Sequence, residues 1–341
     1  MIKVSIFIPT FNRADRLKIA IQSALNQDYK NLEVVVSDNN STDNTFEIIQ
    51  EFSNDERLKY YKNSTNIGVL RNVRKGILEL ITGDYFLFLS DDDYLINNSF
   101  ISQAVEIIEN NENILMVSSN FYINNEITNS KTEVLLPSNN LVEEGKVLFM
   151  EYLKDKYAVG VLCVNLVNRD FVIKMNDFSN MHNHGIDIEI ALKCCLCGNV
   201  GIIDKFSAVY ARHLDSDTYY LYENFDSIIE GVTRFLNPFF LADKYDKLTT
   251  DEKSEWKNLI LGVYVNCLTN VLYYFPERYE EAIKRLSSKD KKFLDNALNN
   301  KRFRLLKFLN KIHLFKPLYN FIFFLYKNKI SHSMINKIVR V

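Results

Sequence analysis

"YFLFLSDDDYL", residues 85–95, is a short apolar run that ends in three consecutive aspartates. An apolar run of this length, bounded by polar residues, is typical of a strand that is buried on both faces of a parallel sheet. Adjacent carboxylates repel one another, so three of them at the end of a strand need an explanation. Two explanations are open: a solvated acidic turn, or a site for a divalent cation, because hard cations prefer oxygen ligands.

Three similar apolar runs precede this one, at residues 4–9, 32–38 and 58–62. Apolar side chains with helical spacing lie between the runs, and the first of these helices has Asn12 as a candidate cap. This alternation of strands and helices predicts an α/β fold with a doubly wound, mostly parallel sheet.

The second half of the chain has a different pattern. It begins with three strand patterns and one helical pattern, the latter at residues 186–197. From about residue 222 the pattern is helical and rich in Phe, Tyr and Leu. The strand patterns cover residues 114–123, 159–168 and 200–213. The expected divisions are one domain with halves at 1–110 and 111–220, and a C-terminal helical region over 221–341.

The composition is that of a globular protein of 341 residues, 47% hydrophobic and 25% charged. Five cysteines, an odd number without the spacing of a disulfide scaffold, favour a reducing cytoplasm. The N-terminus runs directly into a strand pattern, and no uncharged apolar stretch is long enough to cross a bilayer. We therefore expect neither a signal peptide nor a membrane-spanning helix.

Charge is distributed unevenly along the chain. From Lys284 to Val341 there are 15 Lys and Arg against two Asp, which gives this segment +13, whereas the rest of the chain carries −15. The basic residues are interspersed with Leu, Ile and Phe, so the segment has three interpretations: helices that pack on the main domain, a homo-oligomer interface, or an interfacial helix on an anionic membrane surface. No module for nucleic acid is recognisable, so no nucleic acid partner is expected.

Polar residues follow each of the four predicted strands. They are Thr10, Asn12 and Arg13 after the first, Asp38 and Asn39 after the second, Asn66, Gly68 and Arg71 after the third, and Asp91, Asp92 and Asp93 after the fourth. In doubly wound sheets, ligands bind beyond the carboxyl ends of the strands. Four segments that converge on one crevice favour a binding site over an isolated acidic turn.

Four stretches of the chain together resemble a known family. They are "IFIPTFNRADRLKIAIQSALNQDYKNLEVVVSDNNSTDNT", "NIGVLRN", "GDYFLFLSDDDYL" and "GIDIEIAL". In this order they look like glycosyltransferase family 2 with the GT-A fold, over about residues 3–215. The resemblance implies a Rossmann-like catalytic domain, a UDP-sugar donor, a divalent metal (Mn²⁺ or Mg²⁺), and transfer with inversion.

The resemblance also implies a donor site. Thr10 and the backbone around residues 11–13 are expected at the uracil and ribose, Asp38 is expected to accept a hydrogen bond from the base, and Arg71 is expected to reach the nucleotide. The full donor set is Pro9, Thr10, Phe11, Asn12, Arg13, Asp38, Asn66, Gly68, Arg71, Asp91 and Arg212.

The metal motif of the family, Asp-x-Asp-Asp, reads Ser90-Asp91-Asp92-Asp93 in this chain. Asp92 is the expected metal ligand, Asp91 is expected at the ribose, and Asp93 belongs to the metal site either as a ligand or by orienting one. His213 completes the expected metal set, although an ordinary hydrogen-bonded histidine is the alternative.

Asp187, in "HGIDIEIAL" at residues 184–192, is the expected catalytic base. The family usually has Glu-Asp at this point, and this chain has Ile186-Asp187. Because Asp187 opens a predicted helix, capping of that helix is the alternative role, and the two roles are compatible.

The resemblance implies a bacterial enzyme that extends a saccharide or lipid-linked saccharide of a surface polysaccharide. We expect it in the cytoplasm, peripherally at the inner face of the plasma membrane through residues 284–341. Two other functions remain open. A sugar nucleotidyltransferase would carry a glycine-rich loop after the first strand, which "TFNRADRL" lacks. A catalytically silent nucleotide-sugar-binding protein is compatible with the altered positions Ser90 and Ile186.

Overall fold

The computed structural model describes residues 1–138, 140–153, 162–175, 186–214 and 224–317. Within these ranges the strands are β1 (Val4–Thr10), β2 (Leu32–Asp38), β3 (Leu58–Lys62), β4 (Tyr85–Phe88), β5 (Tyr94–Leu95), β6 (Ile114–Asn125), β7 (Ser130–Val134), β8 (Val142–Glu144), β9 (Leu166–Asn168) and β10 (Asn199–Arg212).

The helices of the same ranges alternate with the strands in the first half and follow one another in the second. They are α1 (Ala14–Leu25), α2 (Thr45–Glu51), α3 (Val69–Lys75, continued by a π-helical turn at Gly76–Leu80), α4 (Phe100–Asn110), α5 (Gly145–Leu153), α6 (Arg169–Met175), α7 (Ile186–Cys197), α8 (Phe225–Glu230), α9 (Thr233–Lys244), α10 (Thr250–Tyr274), α11 (Tyr279–Lys289), α12 (Lys291–Asn299) and α13 (Lys301–Lys311).

One mixed sheet contains all of these strands, in the order β3-β2-β1-β4-β9-β6-β10-β5, with β7 on β6 and β8 on β10. The pairs β3–β2, β2–β1, β1–β4 and β6–β10 are parallel, and β9 is antiparallel to both of its neighbours. The predicted α/β class and mostly parallel sheet are therefore confirmed. Parallel strands place their carboxyl ends at one edge, so the loops after β1, β2, β3 and β4 share that edge.

The apolar runs form these strands because both of their faces are covered. Every residue of β2 is buried, and β1 is buried except for the half-buried Pro9. The apolar face of α1, including Leu17 and Ile21, belongs to the same core. Such strands read as continuous apolar sequences rather than as alternating ones.

A charged network closes the opposite, amino-terminal edge of this half-sheet. Glu33 at the start of β2 accepts hydrogen bonds from Ser5 Oγ (2.6 Å), Lys59 Nζ (2.6 Å) and the backbone amide of Thr82 (2.7 Å). Burial alone would raise the pKa of Glu33, but these hydrogen bonds outweigh it and lower the pKa to about 2. The edge that faces away from the predicted site is thus held by a buried, ionised carboxylate.

Two local expectations are wrong. Asn12 does not cap α1. Its φ is +54°, and its side chain accepts the amide hydrogen of Thr42 (2.8 Å). Arg13 occupies the N-cap position, and its side chain makes no capping hydrogen bond to the helix. The strand expected at 159–168 is confined to β9, and a 3₁₀ turn, Leu162–Val164, precedes it. Residues 159–161 lie outside the described residues.

The chain divides into two compact units. The first contains residues 1–219 and 237–248, and the second contains residues 220–236 and 249–341. In the second unit, Trp256 is fully buried in α10, and its indole Nε1 donates to the carbonyl of Phe235 (3.2 Å). A capping box between Thr249 and Glu252 starts the same helix.

The expected C-terminal helices are present as far as residue 317, and residues 318–341 lie outside the described residues. None of the helices that the structure describes combines the length and the apolar character needed to cross a membrane.

Candidate active site

Asp91 joins the loop after β4 to the loop after β1. Its Oδ2 accepts a hydrogen bond from Thr10 Oγ1 (2.8 Å), and its Oδ1 accepts one from Arg13 Nη1 (3.1 Å). The side chain is buried, so these two donors replace water as its partners. Arg13 was predicted as part of the nucleotide pocket, which stays a prediction, and the structure shows that its guanidinium contacts Asp91 and Asp92.

Asp92 joins the same loop to the end of β10. Its Oδ2 lies 2.9 Å from Nε2 of His213 and 3.3 Å from Nη1 of Arg13. Its side chain is 10% exposed, whereas that of Asp91 is 6% exposed. The contact therefore places a carboxylate oxygen beside an imidazole nitrogen.

Asp93 points into the protein. Its Oδ1 accepts a hydrogen bond from the backbone amide of Ala211 on β10 (2.9 Å), and the Cys163 thiol donates to the same carboxyl group. The residue is buried. This bond fixes the aspartate loop to the strand that carries His213, so Asp93 acts on the position of its neighbours.

Asp91 and Asp92 thus share the guanidinium of Arg13, whereas Asp93 is bonded to β10, and burial affects the pKa of two of these carboxyl groups. Burial, and secondly the charge of Asp92, raises the pKa of Asp91 to about 6, against the opposing charge of Arg13. Burial and the neighbouring Asp92 raise the pKa of Asp93 well above its ordinary value. Burial therefore disfavours the ionised forms of Asp91 and Asp93, and the guanidinium of Arg13 offsets part of this effect at Asp91.

Among the described residues, no group of three or more His, Cys, Asp or Glu side chains is arranged to hold a metal by itself. A magnesium-type site needs only one or two protein ligands, because substrate phosphates and water supply the rest. Ligand atoms that each lie about 2.1 Å from one octahedral cation are about 3 Å apart when adjacent. The 2.9 Å between Asp92 Oδ2 and His213 Nε2 fits such a pair.

Asp38, at the end of β2, is fully buried. Its Oδ1 accepts the backbone amide hydrogen of Ser41 (2.7 Å), its Oδ2 accepts the hydroxyl hydrogen of Tyr60 (2.6 Å), and Lys62 Nζ lies 3.8 Å away. These contacts order the loop after β2. Each carboxylate oxygen has a second lone pair, so a further donor such as a base N–H is chemically compatible.

A network of buried amides holds the loop that carries Asn66 and Gly68, and the start of α3, which carries Arg71. Asn72 accepts from Ser37 Oγ (2.7 Å) and Asn63 Nδ2 (2.8 Å), and donates to the Ser37 carbonyl (2.9 Å). Asn39 bonds Asn66 (2.9 Å) and accepts the amide hydrogen of Ile67 (2.9 Å). Sequence reasoning missed Asn63 and Asn72, since their only sequence signal is a polar residue within an apolar helical stripe or after a strand.

Hydrogen bonds connect the loops after β3, β2, β1 and β4 to β10 in one continuous series. The link between the loops after β2 and β1 is made by Asn12, whose backbone amide donates to Ser41 Oγ (2.9 Å). The structure therefore brings these predicted residues to one edge of the sheet. The members of the predicted donor set that are exposed at this edge are Phe11, Asn12, Asn66 and Gly68 on the loops and Arg71 at the start of α3.

Arg212 lies apart from this series. It is exposed, whereas Ala211 and His213 on either side of it are buried, and its guanidinium lies 5.7 Å from the ring centre of Tyr210. Alternation along a strand places neighbouring side chains on opposite faces. A contact between Arg212 and the nucleotide stays a prediction.

Asp187 is half-buried and is the second residue of α7. The helix is held from within by a buried ion pair, because Glu189 and Lys193 are 6% and 5% exposed and lie 2.6 Å apart. Asn237 Nδ2 donates to Glu189 (3.0 Å), and Lys193 Nζ donates to the carbonyl of Met175 (2.9 Å). Glu189 therefore supports α7 from its buried side rather than facing solvent.

The fold is that of glycosyltransferase structures. Staphylococcus aureus TarS, residues 1–349 in complex with UDP-GlcNAc, superposes with a TM-score of 0.55 at 16% identity, over 86% of this chain and 89% of that one. The mannosyltransferase PcManGT of Pyrobaculum calidifontis, in complex with GDP-Man and Mn²⁺, gives 0.52 at 15% identity, over 94% of this chain and 87% of that one.

The sequence model of glycosyl transferase family 2 matches residues 5–172, which are just under half of the chain. A curated relative is the GalNAc(5)-diNAcBac-PP-undecaprenol beta-1,3-glucosyltransferase of Campylobacter jejuni. It is 42% identical over 101 residues, which are 29% of this chain and 32% of the relative. The chain spans between about a third and a half of the length of the first curated relatives that it matches.

Proposed function

We propose that this protein is an inverting glycosyltransferase that moves a sugar from a UDP-sugar to a hydroxyl group of a saccharide or lipid-linked saccharide acceptor. The observation that carries the proposal is the continuous hydrogen-bonded series along the carboxyl edge, which ends in the Asp92–His213 pair. The proposal is supported by the match of residues 5–172 to the model of glycosyl transferase family 2, and by the UDP-GlcNAc bound to TarS.

The proposed donor site lies along that series. Thr10 and the backbone of residues 11–13 contact the nucleoside, Asp38 receives the base N–H, and Asp91 receives a ribose hydroxyl. The bond from Thr10 to Asp91 keeps the two sides of this pocket in register. Exposed Arg71 supplies positive charge for the diphosphate, with Asn66 and Gly68 placing its helix.

Asp92 and His213 hold the proposed Mn²⁺ or Mg²⁺. When bound, a divalent cation there stabilises the negative charge of the departing diphosphate as a Lewis acid. Arg13 neutralises the aspartates before the cation and donor arrive, and Asp93 fixes the loop through Ala211.

Asp187 is the proposed base. It removes the proton from the attacking acceptor hydroxyl, whose oxygen forms the new bond at the anomeric carbon as the bond to UDP breaks on the opposite face. The oxocarbenium-like charge of the sugar in this step is the same as in glycoside hydrolysis. A positioned base contributes roughly 10²–10⁴-fold to such a step. The buried Glu189–Lys193 pair keeps α7, and with it Asp187, in place.

The proposed acceptor class follows from a relative named for an undecaprenol-linked saccharide. Such an acceptor is extended in the pathways of bacterial surface polysaccharides. The proposed place of action is therefore the cytoplasmic face of the plasma membrane, where a UDP-sugar meets a lipid-linked acceptor.

The test measures UDP release from UDP-glucose and UDP-GlcNAc with Mn²⁺, with and without an acceptor. Asp187→Asn should lose at least about 100-fold in turnover while it still binds the nucleotide. Asp170→Asn is the matched control, because Asp170 is the second residue of α6 as Asp187 is of α7, and it is exposed. Nucleotide binding without turnover in the wild-type protein would favour the catalytically silent alternative.

A further inference from the structure

Helix α13 presents an apolar stripe on its outer side. Leu305, Phe308 and Ile312 are 57%, 56% and 45% exposed, and positions i, i+3 and i+7 lie on one face of a helix. Phe303 is fully buried on the other side, where it fixes the helix to the second compact unit. The stripe is therefore a displayed surface rather than an unfilled part of the core.

Basic side chains flank this stripe. Arg304 and Lys311 are exposed at positions that adjoin it on the helical wheel, whereas Lys307 lies nearer the side of Phe303 and donates to the hydroxyl of Tyr279 (3.2 Å). From Asn296 to Val341 the sequence has ten Lys and Arg and no Asp or Glu. An apolar stripe beside uncompensated positive charge is the pattern of a helix that lies in a lipid interface.

We propose that the outer face of α13 docks on an anionic lipid surface. The three apolar side chains enter the boundary between headgroups and acyl chains, and Arg304 and Lys311 contact lipid phosphates. This inference is independent of the proposed reaction, because it concerns only where the chain binds.

Charge argues against two other occupants of the stripe. A second copy of the chain, packed on the same face, would bring two sets of these basic residues together without an acidic partner. Residues 318–341 of the same chain contain no Asp or Glu either, so they supply no charge that complements the stripe. Anionic phosphates complement it directly.

The test is co-sedimentation of the full chain with vesicles of neutral phosphatidylcholine, and with vesicles that also contain anionic phosphatidylglycerol. We expect binding to the anionic vesicles that weakens as salt is added. Arg304→Glu/Lys311→Glu should lower the vesicle affinity at least about tenfold, since each basic residue near such a surface contributes roughly fivefold. Leu305→Ser/Phe308→Ser should lower it on anionic vesicles as well.

Two matched variants control for charge and for surface hydrophobicity. Lys30→Glu/Lys205→Glu changes two exposed lysines of the first unit, and Leu135→Ser/Leu141→Ser changes two leucines that are 59% and 61% exposed. Both should bind vesicles as the wild type does. Circular dichroism and the melting temperature confirm that each variant is folded.

Three results would overturn the proposal. They are equal binding to neutral and anionic vesicles, unchanged binding by the α13 variants, and a concentration-dependent dimer that the Leu305→Ser/Phe308→Ser variant abolishes. A wild-type protein that has transferase activity but does not bind anionic vesicles rejects this inference alone, whereas a wild-type protein that binds the vesicles but has no turnover rejects the proposed function alone.

Discussion

Asp92 Oδ2 lies 2.9 Å from His213 Nε2, although the two residues are 121 positions apart in the chain. The contact joins the loop after β4 to the end of β10. These two strands belong to different parallel blocks of the sheet, with β9 and β6 between them. The candidate metal pair therefore exists only when both blocks are assembled.

This pair predicts a non-additive effect on catalysis. Asp92→Asn and His213→Ala should each lower turnover at least roughly 100-fold, because each removes a ligand of the same cation. The double variant should be little worse than the poorer single variant, since residues that serve one cation are coupled. Multiplied losses in the double variant would contradict a shared site. Asp15→Asn, an exposed aspartate of α1, serves as the control.

The buried amide network predicts that Asn72→Ala destabilises the folded protein. The variant leaves Ser37 Oγ and one amide hydrogen of Asn63 without their acceptor, so the free energy of unfolding should fall by about 1–3 kcal/mol. The KM for the donor should rise, because this network orders the loop that carries Asn66 and the start of α3, which carries Arg71. Denaturant unfolding and donor titration measure the two effects. The exposed Asn110→Ala should change stability by less than about 0.5 kcal/mol.

The buried ion pair of Glu189 and Lys193 in α7 predicts that Glu189→Ala strongly lowers the free energy of unfolding. Glu189→Ala removes the carboxylate that is paired with the buried charge of Lys193. Removing one partner of a buried ion pair typically lowers the free energy of unfolding by about 3–5 kcal/mol. The solvent-exposed pair of Lys18 and Glu51 is the comparison, and Glu51→Ala should cost less than about 1 kcal/mol. Similar losses in the two variants would show that the Glu189 pair is not the anchor of this helix.

The lowered pKa of Glu33 predicts that the protein loses stability as the pH falls. Its pKa falls from 4.5 to about 2 on folding, so the folded state favours the ionised form. The resulting stability is fully present above about pH 4.5 and is lost as the pH falls toward 2. Glu33→Gln should flatten this part of the stability curve measured by urea unfolding, whereas the exposed Glu106→Gln should leave its slope unchanged. A slope that Glu33→Gln does not alter would contradict the network at this edge.

The sheet was predictable where burial on both faces leaves a continuous apolar run. For that reason β2 and β3 were expected at the residues where they occur, and α7 was expected at 186–197. Strands β5, β7 and β8 were not expected. They are short or polar, and their pairing depends on neighbours that are remote in sequence.

Side-chain partners were less predictable than strand ends. Arg13 on the aspartates, Asn72 on Ser37 and Asn237 on Glu189 are contacts of tertiary structure, and no local pattern distinguishes these residues from surface ones. The clue for Arg13 was the presence of a basic residue on the loop next to three acidic ones. Asn237 had no clue in the sequence.

The most direct measurement is the thermal shift produced by UDP with and without Mn²⁺, in the wild type and in Asp92→Asn. A ligand that binds only the folded state raises the melting temperature by an amount that grows with the ratio of its concentration to its Kd. The account predicts that UDP stabilises the wild type strongly only when Mn²⁺ is present, and that Asp92→Asn loses this Mn²⁺-dependent part. No response of the wild type to UDP with Mn²⁺, or an undiminished Mn²⁺-dependent response of Asp92→Asn, would contradict it.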